Sequence, residues 1–216
     1  TVRTFPGGYR SVSWGPREAP ERSRTDDRGA GAQESQEAVR DRVSRRARRR
    51  VRDLCLAAEL GVMETLTVRE NVEDWGRFKG FVQAYLRNVR RRFGKRPYVA
   101  VPERQKRGAW HMHIAWPDRV SRDELRQRRE MWLRIVGSGA VNFRDKGSRN
   151  SGLYLGKYIT KTFGEDWPAH EPRYLAARGI VIQEQRYQGD PAEVLAEFDD
   201  WSYVWEEGSH GYACNI

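Results

Sequence analysis

Between Val62 and Lys161 the apolar residues change period repeatedly, and that ordered alternation limits the fold more than any other feature of the chain. Val62 to Val68 is a run rich in β-branched residues that reads as a buried strand. Trp75, Phe78, Val82, Tyr85, Leu86, Val89 and Phe93 then recur at helical spacing. Pro97 to Val101 and Ala109 to Trp116 read as two further strands, with Arg107-Gly108 marking the turn between them. Ser121-Arg122-Asp123-Glu124 has the form of a capping box, and Leu125, Met131, Trp132, Ile135 and Val136 give the helix after it an apolar side. Gly139 to Phe143 is the fourth strand, and Asn150 or Ser151 caps a last helix. Strand, helix, strand, strand, helix, strand is the split βαβ order. The predicted class is therefore α+β: a central antiparallel sheet of about five strands, ferredoxin- or RRM-like, with flanking helices.

The flanks are less regular. Residues 1–33, rich in Gly, Pro, Ser and Arg, show no hydrophobic period and are expected to form a flexible basic arm. Residues 34–60 place Val39, Val43, Ala47, Val51, Leu54 and Ala58 on one helical face, with Gly61 as the stop. The other face carries Arg45, Arg46, Arg48, Arg49, Arg50 and Arg52, either as a solvated surface or as one that tracks phosphates. The core is expected over 61–165. Residues 166–216 should supply a strand (Gly179 to Tyr187) and a helix begun at Asp190-Pro191, packed on the core as an extension.

The formal charge is +10, and lysine accounts for only six of the 40 basic residues. Arginine makes bidentate phosphate contacts, so the balance favours a nucleic-acid partner over a small molecule. Cys55 and Cys214 fit neither a disulfide framework nor a zinc spacing. With no long apolar run or signal peptide, a cytoplasmic protein without a membrane partner is expected. The first residue is Thr1, so the chain is also expected to be a piece of something larger.

Two segments carry chemistry. In Trp110-His111-Met112-His113-Ile114-Ala115-Trp116, a strand would point His111 and His113 to one face. Glu103, one hairpin away, offers a carboxylate; Glu64 and Asp118 are its rivals. Two imidazoles and a carboxylate can hold a divalent ion, Mn²⁺ or Mg²⁺ foremost, and leave positions open for substrate oxygens. In Tyr154-Leu155-Gly156-Lys157-Tyr158-Ile159-Thr160-Lys161, a helix would set Tyr154, Tyr158 and Lys161 on one stripe, with Lys157 at its border. Leu155, Ile159 and Phe163 would dock that helix on the sheet. A phenol needs help to act as a nucleophile at neutral pH, and a cation at the phosphate or a lysine nearby could give it.

Taken together these segments resemble the HUH endonucleases, and more specifically the rolling-circle replication initiators (Rep proteins) of plasmids and small phages. The first-strand motif is Glu64-Thr65-Leu66-Thr67-Val68, the metal motif runs from Glu103 through Arg107-Gly108-Ala109 to His113, and the nucleophile motif is Tyr154 to Lys161. The resemblance covers about residues 62–163 and implies nicking and rejoining of single-stranded DNA at an origin, exposed as a hairpin, through a 5′-phosphotyrosine. It implies metal ligands His111, His113 and Glu103, nucleophiles Tyr154 and Tyr158 assisted by Lys157 and Lys161, and DNA contacts from the arginine helix and Arg107. It further implies work alongside a host helicase and polymerase. A two-tyrosine transposase or a relaxase would use the same chemistry, although the chain lacks a cysteine cluster and a third clustered histidine. A non-haem iron site would need different ligand spacing. A silent RRM-like module would need sheet aromatics such as Trp110 and Trp116 exposed to bases.

Overall fold

A computed structural model describes residues 1–15, 36–117, 120–162, 167, 171–198, 200–207 and 210–215. They fall into two units, Arg40–Val181 and a second built from Thr1–Val39 with Ile182–Ile216.

The larger unit is organised on an antiparallel sheet ordered β6-β3-β5-β4-β7. Its strands are β3 (Leu60–Val68), β4 (Val99–Arg104), β5 (Trp110–Pro117), β6 (Gly139–Asp145) and β7 (Leu175–Ala176). Helices α2 (Trp75–Phe93) and α3 (Arg122–Val136) make the two crossovers, so the expected split βαβ order is present. Asp74 caps α2 by accepting from the Arg77 amide, and Ser121 caps α3 by accepting from the Glu124 amide. Both helices stop at glycines in the left-handed region, Gly94 (φ 82°) and Gly137 (φ 73°).

Strand alternation divides the sheet into two faces. Leu66, Val68, Ala100, Trp110, Met112, Ile114 and Trp116 join Phe78, Val82, Tyr85, Val89 and Trp132 in one buried core beneath α2 and α3. The opposite parity, including Met63, Val99, Val101, His111, His113 and Ala115, meets helix α4 (Gly147–Thr162), which packs on β3, β4 and β5. Leu155 and Ile159 are fully buried there and Ser151 donates to the Gly61 carbonyl at 3.1 Å, so the expected docking holds for those side chains. Phe163, the third expected docking residue, lies outside the described residues, as do Asp118 and His170.

The arginine helix, α1 (Gln36–Ala57), ends earlier than 34–60. Glu59, not Gly61, takes the left-handed conformation (φ 49°), and Leu60 is already in β3 with no exposure. The buried face is also rotated: Ser44 is inside while Val43 is 45% exposed, because the C-terminal turns bury Val51, Leu54, Cys55 and Leu56. Against α4 the helices touch backbone to side chain, since a Cβ on Gly152 would stand 2.8 Å from Arg52 Cα.

The second unit corrects the expectation of a flexible arm over its first residues. Strands β1 (Val2–Thr4) and β2 (Arg10–Trp14) pair with C-terminal strands in the order β8-β1-β2-β10-β9, where β8 is Gln183–Gln185, β9 is Tyr203–Glu207 and β10 is His210–Cys214. Val2, Phe5, Val12, Tyr212, Ala213 and Cys214 are buried. The order comes from pairing between residues about 200 apart, such as Val12 with Ala213, which no local period can announce. The Gly179–Tyr187 strand is likewise shorter than expected and belongs to this sheet. The strands of 183–214 pair with β1 and β2, not with the central sheet. Helix α5 (Pro191–Ala196) starts at the expected Asp190 cap.

Two glycines should respond oppositely to alanine. Gly152→Ala forces α1 and α4 apart and should lower stability by about 1–3 kcal/mol, as overpacking does. Gly80→Ala, mid-helix in α2 with no atom within 4 Å of the added carbon, should raise it by about 0.5–1 kcal/mol. Denaturant unfolding of both variants checks the pair.

Candidate active site

The site forms where three strands and α4 meet, and register decides its members. Across β3–β5, Thr65 sits opposite His113 and Thr67 opposite His111; across β4–β5, Glu103 sits opposite His111. All of these point to the α4 face. His113 is 4% exposed, with Nε2 2.8 Å from Glu103 Oε2 and Nδ1 3.1 Å from Thr65 Oγ1. An ionised carboxylate only accepts, so Nε2–H donates to Glu103 and Nδ1 of the neutral ring accepts from Thr65, a tautomer assigned from the network. The other Glu103 oxygen receives Lys161 Nζ. Burial pushes the Glu103 carboxyl up, but the hydrogen bonds from His113 and Lys161 outweigh it and hold the group down at about 2.

The tyrosines stand over this cluster. The Tyr158 ring is stacked on His113, centroids 3.7 Å apart and planes 13° from parallel. Its hydroxyl donates to the Tyr154 hydroxyl at 2.8 Å. Tyr154 meets His113 edge-on at 6.4 Å. Lys161 Nζ lies 5.3 Å from the Tyr158 ring centre, and Lys146 Nζ lies 4.8 Å from that of Tyr154. Burial, then the hydrogen bond to Tyr154, raises the Tyr158 phenol well above its ordinary range, so it is protonated at neutral pH.

His111 differs from His113. Burial, then its neighbour His113, holds its imidazole down at about 4, so the ring is neutral. Its Nε2 is buried with no hydrogen-bond partner among the described residues, an arrangement that leaves a donor or lone pair for a ligand. Two imidazoles and an ionised carboxylate suit a divalent cation chemically. Yet among the described residues no three such groups converge at ligand distances, because Glu103 is turned onto His113. An ion taken up by all three would displace that hydrogen bond.

Other expected residues are placed less centrally. Lys157 is exposed and bonds to no described residue. Arg45, Arg46, Arg48 and Arg50 are exposed on α1, Arg49 and Arg52 half-buried, and Arg107 is exposed in the β4–β5 turn, 3.4 Å from the Val68 carbonyl. Glu64 faces the other way, fully buried and bonded to Tyr85 and Trp116, so it cannot join the histidines. Trp110 and Trp116 are buried beneath α2 and α3 and offer no stacking surface to bases. Sequence reasoning gave no role to Thr65 or Lys146. The parity of β3 against the HxH strand marks the first; no periodic signal marks the second.

Residues 61–163 match the family described as Replication-associated protein ORF2, a family of rolling-circle replication initiators. No curated protein and no solved structure matches the chain. No described helix is long and apolar enough to cross a membrane.

Nitrogen-15 spectra at about pH 8, above the ordinary histidine range, should show His113 as the Nε2–H tautomer. In Thr65→Val the Nδ1 resonance should move towards that of an unbonded nitrogen while Nε2 stays in place.

Proposed function

We propose, on the premise that residues 61–163 belong to the replication-associated protein ORF2 family, that the chain nicks and rejoins single-stranded DNA at a replication origin through a 5′-phosphotyrosine. The observation that carries the reading is the pair of tyrosine hydroxyls 2.8 Å apart over the His113 ring. Two nucleophiles so close can be presented in turn to one phosphodiester without rebuilding the site.

Tyr154 attacks first in this scheme. Its oxygen accepts the Tyr158 hydroxyl and Lys146 lies against its ring, and both favour negative charge on that oxygen as its proton leaves. The Tyr154 Oη–P bond forms, the P–O3′ bond breaks, and the departing 3′ oxygen takes up a proton, leaving a free 3′ hydroxyl for a polymerase. Tyr158 then serves the second cleavage, held in place by its stack on His113. His111, His113 and Glu103 would hold Mn²⁺ or Mg²⁺, which when bound polarises the scissile phosphate as a Lewis acid. Lys161 keeps Glu103 ionised and stands ready for phosphate charge. Origin DNA, single-stranded or in a hairpin, is the substrate, and host helicase and polymerase are the partners such chemistry would serve.

Incubation with labelled origin strand and Mn²⁺ should give a protein–DNA adduct that survives denaturing gels. Tyr154→Phe should lower adduct formation by about a hundredfold or more, and Tyr158→Phe much less in a single round. The double substitution should abolish it with DNA affinity changed less than about threefold. Adduct formation by the double mutant, or full activity after His111→Ala with His113→Ala, would sink the mechanism.

A further inference from the structure

A cleft of about 1030 Å³ opens elsewhere on the larger unit, at the C-terminal end of α2 and the β7 edge of the sheet. It contains none of His111, His113, Glu103, Tyr154 or Tyr158. Its lining includes five cations, Arg87, Arg90, Lys95, Arg96 and Arg178, and no carboxylate. Arg96 is paired with Glu124 at 2.9 Å, while the other four form no ion pair with a described residue. Leu86 and Leu175 supply apolar wall, and the floor is Trp116. Tyr98, half-buried, leans on Trp116 with centroids 5.4 Å apart and planes at 48°, so its ring is braced rather than free to turn away.

We propose that this cleft binds single-stranded nucleic acid, its phosphates on Arg87, Arg90, Lys95 and Arg178 and a base against Tyr98. Uncompensated positive charge on that scale calls for an anion. The flat aromatic wall and the predominance of arginine favour phosphates joined to bases over carboxylates joined to aliphatic side chains. The volume is at the upper end of small-molecule sites, which run to roughly 1,000 Å³, and suits several linked units better than one. Because the lining is separate from the tyrosine site, this strand contact is distinct from the one cleaved and does not depend on the nicking reading.

The test is fluorescence anisotropy of a labelled oligothymidylate of about 12 nucleotides, within the usual span of such grooves. It is run on the full chain without divalent metal, so that no cleavage enters. In Arg87→Gln/Arg90→Gln/Lys95→Gln the slope of log affinity against log salt should shrink by about 2, at roughly 0.7 per lost phosphate contact. Tyr98→Leu should weaken binding about tenfold, with Tyr98→Phe restoring it. Circular dichroism and thermal melting confirm that each variant is folded, and the tyrosine adduct should still form at saturating DNA. Unchanged slope and affinity in folded variants would overturn the proposal. So would displacement of the oligonucleotide by polyglutamate as readily as by unlabelled strand, which points to an acidic protein segment. Displacement by thymidine monophosphate at equal molar concentration would overturn it in favour of a mononucleotide site.

Discussion

Burying two histidines in the middle of a sheet sets the condition that the rest of the structure answers. A buried imidazole with an unmet nitrogen costs free energy comparable to a lost hydrogen bond. His113 is met on both sides, by Thr65 from one neighbouring strand and Glu103 from the other. That satisfaction requires both strand registers at once, because a slip of one residue would turn every side chain of the slipped strand to the opposite face. The polar cluster and the sheet therefore specify one another. Helix α4 completes the arrangement by bringing Lys161 to the outer oxygen of Glu103 and the Tyr158 ring onto the imidazole.

The opposite face repeats the logic with a different outcome. Glu64, adjacent to Thr65, is fully buried between Tyr85 and Trp116, and Arg128 lies 3.8 Å away with its guanidinium 3.9 Å from the Trp116 ring centre. Arg128 is itself bonded to Glu124, which reaches the surface through Arg96. Buried charge is retained there by pairing and hydrogen bonds, and removal of one partner would strand the others. One strand thus feeds an acidic group to a closed structural network and, one residue on, a hydroxyl to the open polar cluster.

Much of this was legible in the sequence, and the reasons are specific. The strand–helix order, the shared face of His111 and His113 and the shared stripe of Tyr154 and Tyr158 all follow from local period, which a sequence carries directly. Local period leaves the choice between Glu64 and Glu103 open, although parity contains the answer. Glu64 is opposite Ile114 in the pairing with β5, so it must share the face of the apolar residues. What local period could not carry is pairing over distance. The N-terminal strands find partners near residue 213, and Lys146 reaches Tyr154 only because β6 delivers the chain to the start of α4 beside it.

The close approach of α1 to α4 bears on which cations can serve the tyrosines. Gly152 and Gly156 are the positions where Arg52 and Arg48 lie against α4. Each is two residues before a tyrosine, and two residues turn a helix by about 200°. The arginine helix therefore backs α4 on the side away from the Tyr154 and Tyr158 hydroxyls. Its exposed residues, Arg45, Arg46 and Arg50 among them, can contact a phosphate backbone but cannot stand beside the phenols. Charge at the phenols has to come from Lys161 and Lys146, which lie within 5.3 and 4.8 Å of the two rings. The abundant arginines and the two lysines are thus divided by geometry: the first can hold a strand, and the second can act on the bond being broken.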